Sequence, residues 1–280
     1  MAASKKSEKS QPEAPSAAAP EPATVAIGVD IGGTGIKGAL VDLASGELIG
    51  DRIKVSTPKG GAPDAIIAAV VELVGELLER EAASESAAEP AIGICFPAII
   101  HHGRTMSAAN VSDDWIGLDA QKRFSKALDR EILLVNDADA AGLAEVRFGA
   151  AKGVDGLVIV TTLGTGIGSA MIMDGELIPN SELGHLEIGG RDAERRASYA
   201  AKERGRLSWK AWAKRLQRYY AHLEFLFSPT LFLVGGGVSK HADEYLPLLK
   251  LGTPIKPAEL RNNAGILGAA WLANRHRARH

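Results

Sequence analysis

One segment of the sequence occurs twice, and this duplication constrains the fold more than any other feature. Residues 30–40 (DIGGTGIKGAL) return as residues 161–171 (TTLGTGIGSAM), and each copy follows a β-rich run and precedes another apolar run. A strand, a glycine turn and a second strand therefore occur twice, which predicts two related domains. Glycine permits positive φ and close approach of the main chain to an anion, so such turns bind phosphate. Two of them facing each other across a cleft predict an enzyme that holds a phosphoryl donor between two lobes.

Composition limits the remaining possibilities. The chain has 280 residues, of which 46% are hydrophobic and 24% charged, and this length suits two compact domains. A formal net charge of −2 gives no reason to expect a nucleic-acid or membrane partner. The single cysteine excludes a disulfide scaffold and a four-cysteine zinc site, and it favours the reducing cytoplasm. No apolar stretch approaches the roughly 20 residues that span a bilayer.

The distribution of apolar residues predicts three regions. Residues 1–23 consist almost entirely of Ala, Pro, Ser, Glu and Lys, so we expect a disordered tail. This tail has no apolar core of a secretory signal and too few apolar residues for a DNA-binding helix-turn-helix. Residues 24–137 then form an N-terminal α/β lobe and residues 138–280 a C-terminal α/β lobe, whose final helix could pack back on the first lobe.

The order of elements predicts the fold class. Strands are expected over 25–31, 36–43, 48–55, 91–97, 131–135 and 231–234, and helices over 65–80, 118–128, 138–147, 208–227 and 264–275. The helix over 208–227 carries one apolar stripe, which is more typical of core than of a stacking platform: Trp209, Trp212, Leu216, Tyr219, Leu223 and Phe227. The pattern predicts a two-lobed, actin-like (ribonuclease H-like) duplicated ATPase-type fold with an active-site cleft between the lobes.

The first glycine turn allows more than one interpretation. It formally matches the dinucleotide fingerprint G-x-G-x-x-G, but that motif opens a helix, whereas here the chain continues as a strand. Interpreted as a hairpin, it offers backbone N–H groups and Thr34 to phosphate oxygens, with Lys37 as a nearby charge. Asp30, at the end of the preceding strand, is well placed to hold Mg²⁺ through water. The alternative is that this segment is only a tight turn without a binding role, and the second matched copy argues against that alternative.

Asn136 and Asp137 stand where a buried strand meets a helix, the sheet edge at which α/β proteins bind ligands. A carboxylate there can accept the proton of an attacking hydroxyl. Taken alone, the pair fits a helix N-cap better. Asp139 is expected on the helix surface.

A second polar cluster occupies residues 181–187 (SELGHLE), with two carboxylates and an imidazole around a glycine. Such a cluster suits a polyhydroxylated ligand. Zinc is the rival interpretation, although no thiols follow. His101 and His102 are expected at the surface, and Cys95 in the core.

Residues 190–218 are strongly basic, with ten cations against three acids. Such a surface attracts a polyanion, although a solvated helix face would also explain it. The cations are Arg191, Arg195, Arg196, Lys202, Arg204, Arg206, Lys210, Lys214, Arg215 and Arg218.

With these residues assembled, the chain from about 24 to 274 resembles the ROK family of sugar kinases. The resemblance is carried by DIGGTGIK (30–37), LGTGIG (163–168), SELGH (181–185), LSWKAWAKRL (207–216), FLVGGGVSK (232–240) and NNAG (262–265). The zinc-binding cysteine motif that most of the family carries after the histidine is missing. The polyphosphate-using glucokinases of the family lack it likewise, and they are the members that this chain resembles most.

The resemblance implies a function and a site. The terminal phosphoryl group of inorganic polyphosphate, and of ATP, would pass to the 6-hydroxyl of glucose, with mannose as a further acceptor and Mg²⁺ as cofactor. Asp137 would be the general base, and the hexose would be held by Asn110, Asn136, Asp137, Glu182, His185 and Glu187. The donor phosphates would be bound by Asp30, Gly32, Gly33, Thr34, Gly35, Lys37, Thr162, Gly164, Thr165, Gly166, Gly235, Gly236 and Gly237.

Three alternatives stay open. A strictly ATP-dependent glucokinase would use the same site. A sugar-responsive regulator of the family would need a DNA-binding module, which residues 1–23 cannot supply. A sugar-binding scaffold without catalysis would predict a lost base, whereas Asp137 is present. A monomer and a homodimer are equally compatible with the sequence.

Overall fold

The computed structural model describes residues 24–82 and 89–279, so the tail expected over residues 1–23 lies outside the described residues. The first half of the chain contains β1 (Val25–Ile31), β2 (Gly35–Asp42), β3 (Glu47–Ser56), α1 (Pro63–Ala82), β4 (Ala91–Phe96), β5 (Ile100–His101), β6 (Arg104–Thr105), α2 (Ala120–Leu128) and β7 (Ile132–Asn136). The second half contains α3 (Asp137–Phe148), β8 (Leu157–Leu163), β9 (Ile167–Met173), β10 (Glu176–Ile178), α4 (Glu194–Ala197), α5 (Tyr199–Arg204), α6 (Trp209–Phe227), β11 (Leu231–Gly235), α7 (Ala242–Tyr245), β12 (Ile255–Pro257) and α8 (Ala264–Arg277).

Two five-stranded sheets repeat one topology. The first has the order β3-β2-β1-β4-β7 and the second the order β10-β9-β8-β11-β12. In each sheet the first three strands form an antiparallel meander, and the last two lie parallel to the central strand. This correspondence confirms the predicted duplicated two-lobed α/β fold.

The long elements lie within about two residues of their expected bounds. Helix α1 begins at Pro63 rather than 65, since proline is tolerated in the first turn. Helix α2 begins at Ala120 rather than 118, because the Asp119 side chain accepts a hydrogen bond from the Lys122 N–H (3.3 Å) and caps the helix there. The elements of the described chain that the sequence interpretation missed are short, and they include the β5–β6 hairpin, α4, α5, α7, β12 and several single-turn 3-10 helices.

The first sheet is covered on both faces. Helix α1 packs its buried aliphatic side chains against Ile27, Val29 and Ile31 of β1. The opposite face carries small residues, because the chain's last helix lies directly on it. A Cβ atom built on Gly28 would lie 2.0 Å from the Ile266 carbonyl oxygen, so only glycine permits this approach of α8. The final helix thus packs against the sheet of the first lobe.

Helix α3 lies between the two halves of the molecule. A Cβ atom built on Gly268 of α8 would lie 1.8 Å from the carbonyl oxygen of Ala140, so the backbones of α3 and α8 touch at this crossing. On another face, Leu143 and Val146 of α3 pack with Val160 of β8. The residue that opens α3, Asp137, is therefore positioned by contacts to both lobes.

Helix α6 covers the second sheet, as its apolar stripe predicts. Trp212, Leu216, Tyr219 and Leu223 are buried among side chains of β8 and β11, which confirms that the stripe is core. The Ser208 hydroxyl caps the helix by accepting from the Ala211 N–H (3.2 Å). No helix in the described part of the chain has the length and apolarity to cross a membrane.

Candidate active site

A cavity of about 190 Å³ opens between the lobes and is lined by residues of both. The predicted site residues that line it are Asp30, Lys37, Asp137, Thr162, Gly235 and Gly236. Other residues that line it, to which the sequence analysis assigned no role, include Glu145, Arg261, Asn262 and Gly265. A larger groove of about 1050 Å³ lies at the outer edge of the first sheet, near α2 and the end of α8. Because it contains none of the predicted site residues, we assign the chemistry to the smaller cavity.

The sequence left two roles open for Asn136 and Asp137, a helix N-cap and a carboxylate that accepts a proton. The structure assigns the cap to Asn136 and leaves the carboxylate of Asp137 free of it. The Asn136 side chain is the N-cap of α3, accepting from the N–H groups of Ala138 (2.9 Å) and Asp139 (3.0 Å). Its amide nitrogen donates to the Ala98 carbonyl (3.0 Å) and ties the cap to the first lobe. Asp137 is thereby left as the first helical residue, with its carboxylate in the cleft.

The Asp137 carboxyl group has an unusual affinity for protons. Burial, the negative charge of Asp30 and that of Glu182 together raise its pKa to about 7. A backbone N–H, that of Ala138, donates to Oδ1 at 2.8 Å and opposes this rise. A carboxylate with a pKa near the working pH is a suitable general base, because it both ionises and accepts a proton readily.

Asp139 does not lie on the helix surface, so that expectation is wrong. It is only 2% exposed, because α3 is covered on more than one face by α8 and the second lobe. One carboxylate oxygen accepts from the Asn180 N–H (2.7 Å), and the other has no hydrogen-bond partner. Burial, followed by the charges of Glu182 and Asp137, raises the pKa of Asp139 to about 7 as well.

Asn180 is a residue that sequence reasoning missed, and it connects the lobes. Its side chain accepts from the Ile100 N–H (2.9 Å) and donates to the Ile100 carbonyl (2.8 Å), like a short piece of β-ladder. Its own N–H is the donor to Asp139. Asn180 has a positive φ of 59°, which asparagine tolerates better than most residues. Its position directly before the polar cluster of residues 181–187 was the available signal.

Asp30 stands opposite Lys37 in the β1–β2 ladder, and the lysine Nζ lies 3.2 Å from its carboxylate. Cys95 is fully buried as expected, but it also contacts the site, since its Sγ lies 3.5 Å from the other oxygen of Asp30. A Cβ atom on Gly265 would lie 3.3 Å from the Asp30 carboxylate, so the start of α8 closes this side of the cavity.

The two glycine hairpins are tight, but their glycines do not have the backbone conformation that was expected. Gly32 N–H donates to the Gly35 carbonyl, and Gly164 N–H to the Gly166 carbonyl, both at 3.0 Å. The hairpin glycines, residues 32, 33, 35, 164 and 166, do not adopt positive φ, so that part of the expectation is wrong.

Close packing accounts for two of the hairpin glycines, Gly33 and Gly166, whereas a Cβ atom on Gly164 would meet nothing within 4 Å. A Cβ atom on Gly33 would lie 2.7 Å from the Cβ of Asn110, and one on Gly166 would lie 2.4 Å from the Glu194 carboxylate. Thr34 and Thr165, at the tips, are exposed and do not line the interlobe cavity. Among the donor residues, Gly236 does adopt a positive φ of 82°, and its Cβ would lie 2.7 Å from the Leu163 carbonyl.

The predicted hexose residues extend from the cleft toward the surface. Glu182 is half-buried, and burial raises its pKa. His185 is exposed, and its Nδ1 lies 3.5 Å from the Asp192 carboxylate. Glu187 is also exposed, whereas Asn110 has a positive φ of 63° and contacts the first hairpin at Gly33.

Other candidate groups lie outside this arrangement. His101 and His102 are exposed, as expected, with ring centroids 4.6 Å apart. Within residues 24–82 and 89–279, no three His, Cys, Asp or Glu side chains are grouped as a protein metal site requires.

Comparison with known proteins relates this arrangement to a family. The model of the ROK family matches residues 26–198. A polyphosphate glucokinase from Mycobacterium tuberculosis is 45% identical over 247 residues, which cover 88% of this chain and 90% of the relative. The crystal structure of an inorganic polyphosphate/ATP-glucomannokinase from Arthrobacter sp. strain KM is similar with a TM-score of 0.82 and 54% identity, covering 90% of this chain and 99% of that one. A ROK family glucokinase from Streptomyces griseus, solved in complex with glucose and AMPPNP, has a TM-score of 0.75 and 25% identity, with 90% and 99% coverage. The chain therefore belongs to the ROK family.

Proposed function

We propose that this protein transfers the terminal phosphoryl group of inorganic polyphosphate, and also of ATP, to the 6-hydroxyl of glucose. The observation that carries the proposal is the Asp137 carboxyl group, which lies in the interlobe cavity with its pKa raised to about 7. Similarity to the polyphosphate glucokinase of M. tuberculosis supports the donor and the acceptor. Similarity to the Arthrobacter glucomannokinase supports mannose as a second acceptor.

Asp137 is the proposed general base. As the sugar oxygen attacks phosphorus, its proton passes to the Asp137 carboxylate, and the bond between the transferred phosphorus and the donor chain breaks. The raised pKa makes this transfer favourable near neutral pH, and base catalysis of this kind contributes about 10²–10⁴-fold. Asn110, Glu182, His185 and Glu187 are proposed to hold the hexose, and the Asn136 cap fixes where α3 begins.

The donor phosphates are proposed to lie along the two hairpins. Phosphoryl transfer places negative charge on the oxygens around phosphorus, and fixed N–H dipoles stabilise that charge. Lys37, paired with Asp30, supplies a cationic group at the cavity wall. Gly236, with Thr162 beside it, leaves the main chain of the second lobe accessible to the donor.

A divalent cation fits the residues of this cavity. The charge of Asp30 raises the pKa of Asp137, so two carboxylates repel each other where a cation would relieve the repulsion. Mg²⁺ is usually held by one or two carboxylates with substrate phosphates and water, and Asp30 is the residue that would hold it here. When bound, the ion would neutralise charge on the donor phosphates.

Three other functions remain as tests of the proposal. A strictly ATP-dependent glucokinase would form no product from polyphosphate. A sugar-binding regulator or a scaffold would bind glucose without turnover, and neither role requires a carboxylate whose pKa lies near neutral pH. We expect the enzyme to act in the cytoplasm.

One assay separates these functions. Glucose 6-phosphate formation is measured with long-chain polyphosphate in nucleotide-free buffer, and in parallel with ATP alone. Product in both reactions is the expected result. Product from ATP alone would reduce the proposal to its ATP-dependent alternative, and no product from either donor would refute it.

A variant tests the role of the base. Asp137→Ala should lower kcat by about 10²–10⁴-fold with either donor, while glucose still binds, as measured by calorimetry. The control is Asp155→Ala, which removes an exposed carboxylate that does not line the interlobe cavity and should keep wild-type turnover. An Asp137→Ala enzyme that retained most of its turnover would rule out the assignment.

A further inference from the structure

A second cavity, outside the interlobe cleft, is lined largely by arginine. It has a volume of about 400 Å³ and lies between the loop after residue 187, helix α4 and helix α6. The side chains that concern the argument are Arg191, Arg195, Arg196, Arg215, Arg218 and Tyr219. We call this the arginine cavity. The other five cations of residues 190–218 do not line it.

Most of the charge of the arginine cavity has no counter-charge among the described residues. The described residues that line it include no carboxylate. Of its five guanidinium groups, only that of Arg195 has a carboxylate partner among the described residues, and its Nε lies 3.8 Å from Asp192. Arg215 donates instead to the carbonyl of Arg196 (3.2 Å), which fixes α6 against α4 and holds two of the cations in place. Repelling cations that are held together without counter-charges mark a place for an anion.

Tyr219 provides an independent sign of a missing ligand. Its side chain lines the arginine cavity and is only 1% exposed, yet its hydroxyl group has no hydrogen-bond partner. Burial, with the nearby charge of Glu194, raises the pKa of Tyr219, so the hydroxyl keeps its proton and remains a donor. A buried donor without an acceptor costs about 1–3 kcal/mol. An anion that displaced the side chains covering this hydroxyl would supply that acceptor.

The arginine cavity adjoins the donor side of the proposed active site. The Glu194 carboxylate accepts from the Ile167 N–H (3.2 Å), directly after the second glycine hairpin. Arg195 and Arg196 follow Glu194 in helix α4, so the cations are linked to the hairpin through one side chain. Ala200, at the start of α5, also donates to the Gly164 carbonyl (3.0 Å). A long donor bound at this hairpin would therefore continue toward the arginines.

We propose that the arginine cavity binds phosphate groups of inorganic polyphosphate that lie beyond the group being transferred. This inference rests on the proposed function. Guanidinium groups match phosphate oxygens with paired hydrogen bonds, and several around one cavity suit a chain that carries a charge on every unit. ATP ends in a nucleoside after three phosphates, so the cavity favours the polymer over the nucleotide. The binding is local to the cavity and is not a general effect of the basic surface.

The test compares two double variants that remove equal charge. Arg191→Ala with Arg218→Ala removes two exposed arginines of the cavity that have no carboxylate partner in the described chain. Lys210→Ala with Lys214→Ala removes two exposed lysines of helix α6 that do not line it. Binding of medium-chain polyphosphate is measured by calorimetry without glucose, and kcat/KM is measured with polyphosphate and with ATP.

The arginine double variant should weaken polyphosphate binding by about tenfold or more, and it should lower the ratio of kcat/KM for polyphosphate to that for ATP by a similar factor. The lysine double variant should change each quantity by about threefold or less. Equal losses in both variants would show a diffuse electrostatic effect and overturn the proposal. Unchanged binding in the arginine variant would overturn it as well.

The outcome also separates this inference from the proposed function. If the wild-type protein binds polyphosphate through the arginines but forms no product from it, the binding role of the arginine cavity is supported and polyphosphate is ruled out as the donor. If the wild-type enzyme uses polyphosphate and the arginine variant behaves identically, the proposed function is supported and the binding role of the cavity is ruled out.

Tyr219→Phe adds a readout that a purely structural role would not give. Without ligand, the variant should be at least as stable to heat as the wild type, because it lacks the unpartnered hydroxyl group. With polyphosphate, it should bind about two- to fivefold more weakly. A variant that is destabilised without ligand and binds polyphosphate normally would contradict the role assigned to Tyr219.

Discussion

The buried carboxyl group of Asp139 allows a quantitative prediction about stability. Its pKa is raised to about 7 in the folded protein, from the ordinary aspartate value of 3.8. A group that holds its proton more tightly when folded stabilises the protein at low pH, and this stabilisation is lost as the pH rises through the folded pKa. Between pH 5 and pH 8, the loss amounts to about 2.5 kcal/mol, since each pH unit well inside the window is worth about 1.4 kcal/mol.

Asp139→Asn removes the titration while keeping an oxygen that can accept from the Asn180 N–H. Relative to the wild type, the variant should therefore gain about 2.5 kcal/mol of stability between pH 5 and pH 8. For a chain of this size, the unfolding midpoint of the variant relative to that of the wild type should therefore rise by about 5–10 °C from pH 5 to pH 8. The assay is thermal unfolding at intervals of half a pH unit, with Asp155→Asn as an exposed control.

The comparison with the wild type cancels the titration of groups that do not interact with Asp139, while Asp137 and Glu182, whose charges act on it, contribute to the difference. Asp155→Asn should follow the wild type across the range, because its side chain is exposed in both states. If the difference between Asp139→Asn and the wild type stays constant from pH 5 to pH 8, the carboxyl group is ionised in the fold throughout. The reasoning from burial and from the unpartnered oxygen would then be refuted.

Three further predictions concern the donor side and the lobe contact. Raising the ionic strength from about 0.05 to 0.5 M should lower kcat/KM for polyphosphate several-fold more than for ATP, because screening weakens the attraction of a long polyanion to the basic surface; equal losses would contradict it. Glu194→Ala should raise KM for both donors by loosening the second hairpin at Ile167, whereas Glu194→Gln, which keeps an acceptor, should have a smaller effect. Gly268→Ala should cost about 1–3 kcal/mol or more by forcing α8 from Ala140, whereas Gly75→Ala, with nothing within 4 Å, should be neutral or stabilising in thermal unfolding.

The duplication could be predicted from the sequence because both copies carry the same short, contiguous pattern of residues. Each hairpin needs a β-rich run, a glycine turn and a second run, and these signals lie within about 20 contiguous residues. The stripe of α6 is local in the same sense, so its burial around Trp212 and Leu216 could be predicted. The position of Asp137 followed equally well, because the change from strand to helix occurs at that residue.

Residues whose role depends on distant partners could not be found in this way. Glu145 is 1% exposed, and its carboxylate accepts from the N–H groups of Ala150 (2.9 Å), Glu259 (3.2 Å) and Leu260 (2.7 Å). Two of these donors lie more than 100 positions away, so no spacing rule indicates the contact. The same limit explains the error at Asp139, where helical spacing alone could not show that further faces of α3 are covered.

Burial at the start of α3 has two consequences: it lowers the stability of the fold at neutral pH, and it raises the proton affinity of the carboxyl groups there. Packing against α8 and β8 removes water from this end of the helix, which raises the pKa values of Asp137 and Asp139 together. Only Asp137 faces the cavity, so the proton affinity that burial produces is available to a substrate there and not at Asp139. A neutral residue at position 139 should therefore relieve part of the cost and leave the proposed base in place, whereas the same change at position 137 should remove the reaction. Measuring turnover and unfolding for the two asparagine variants side by side would establish whether this separation of stability from catalysis holds.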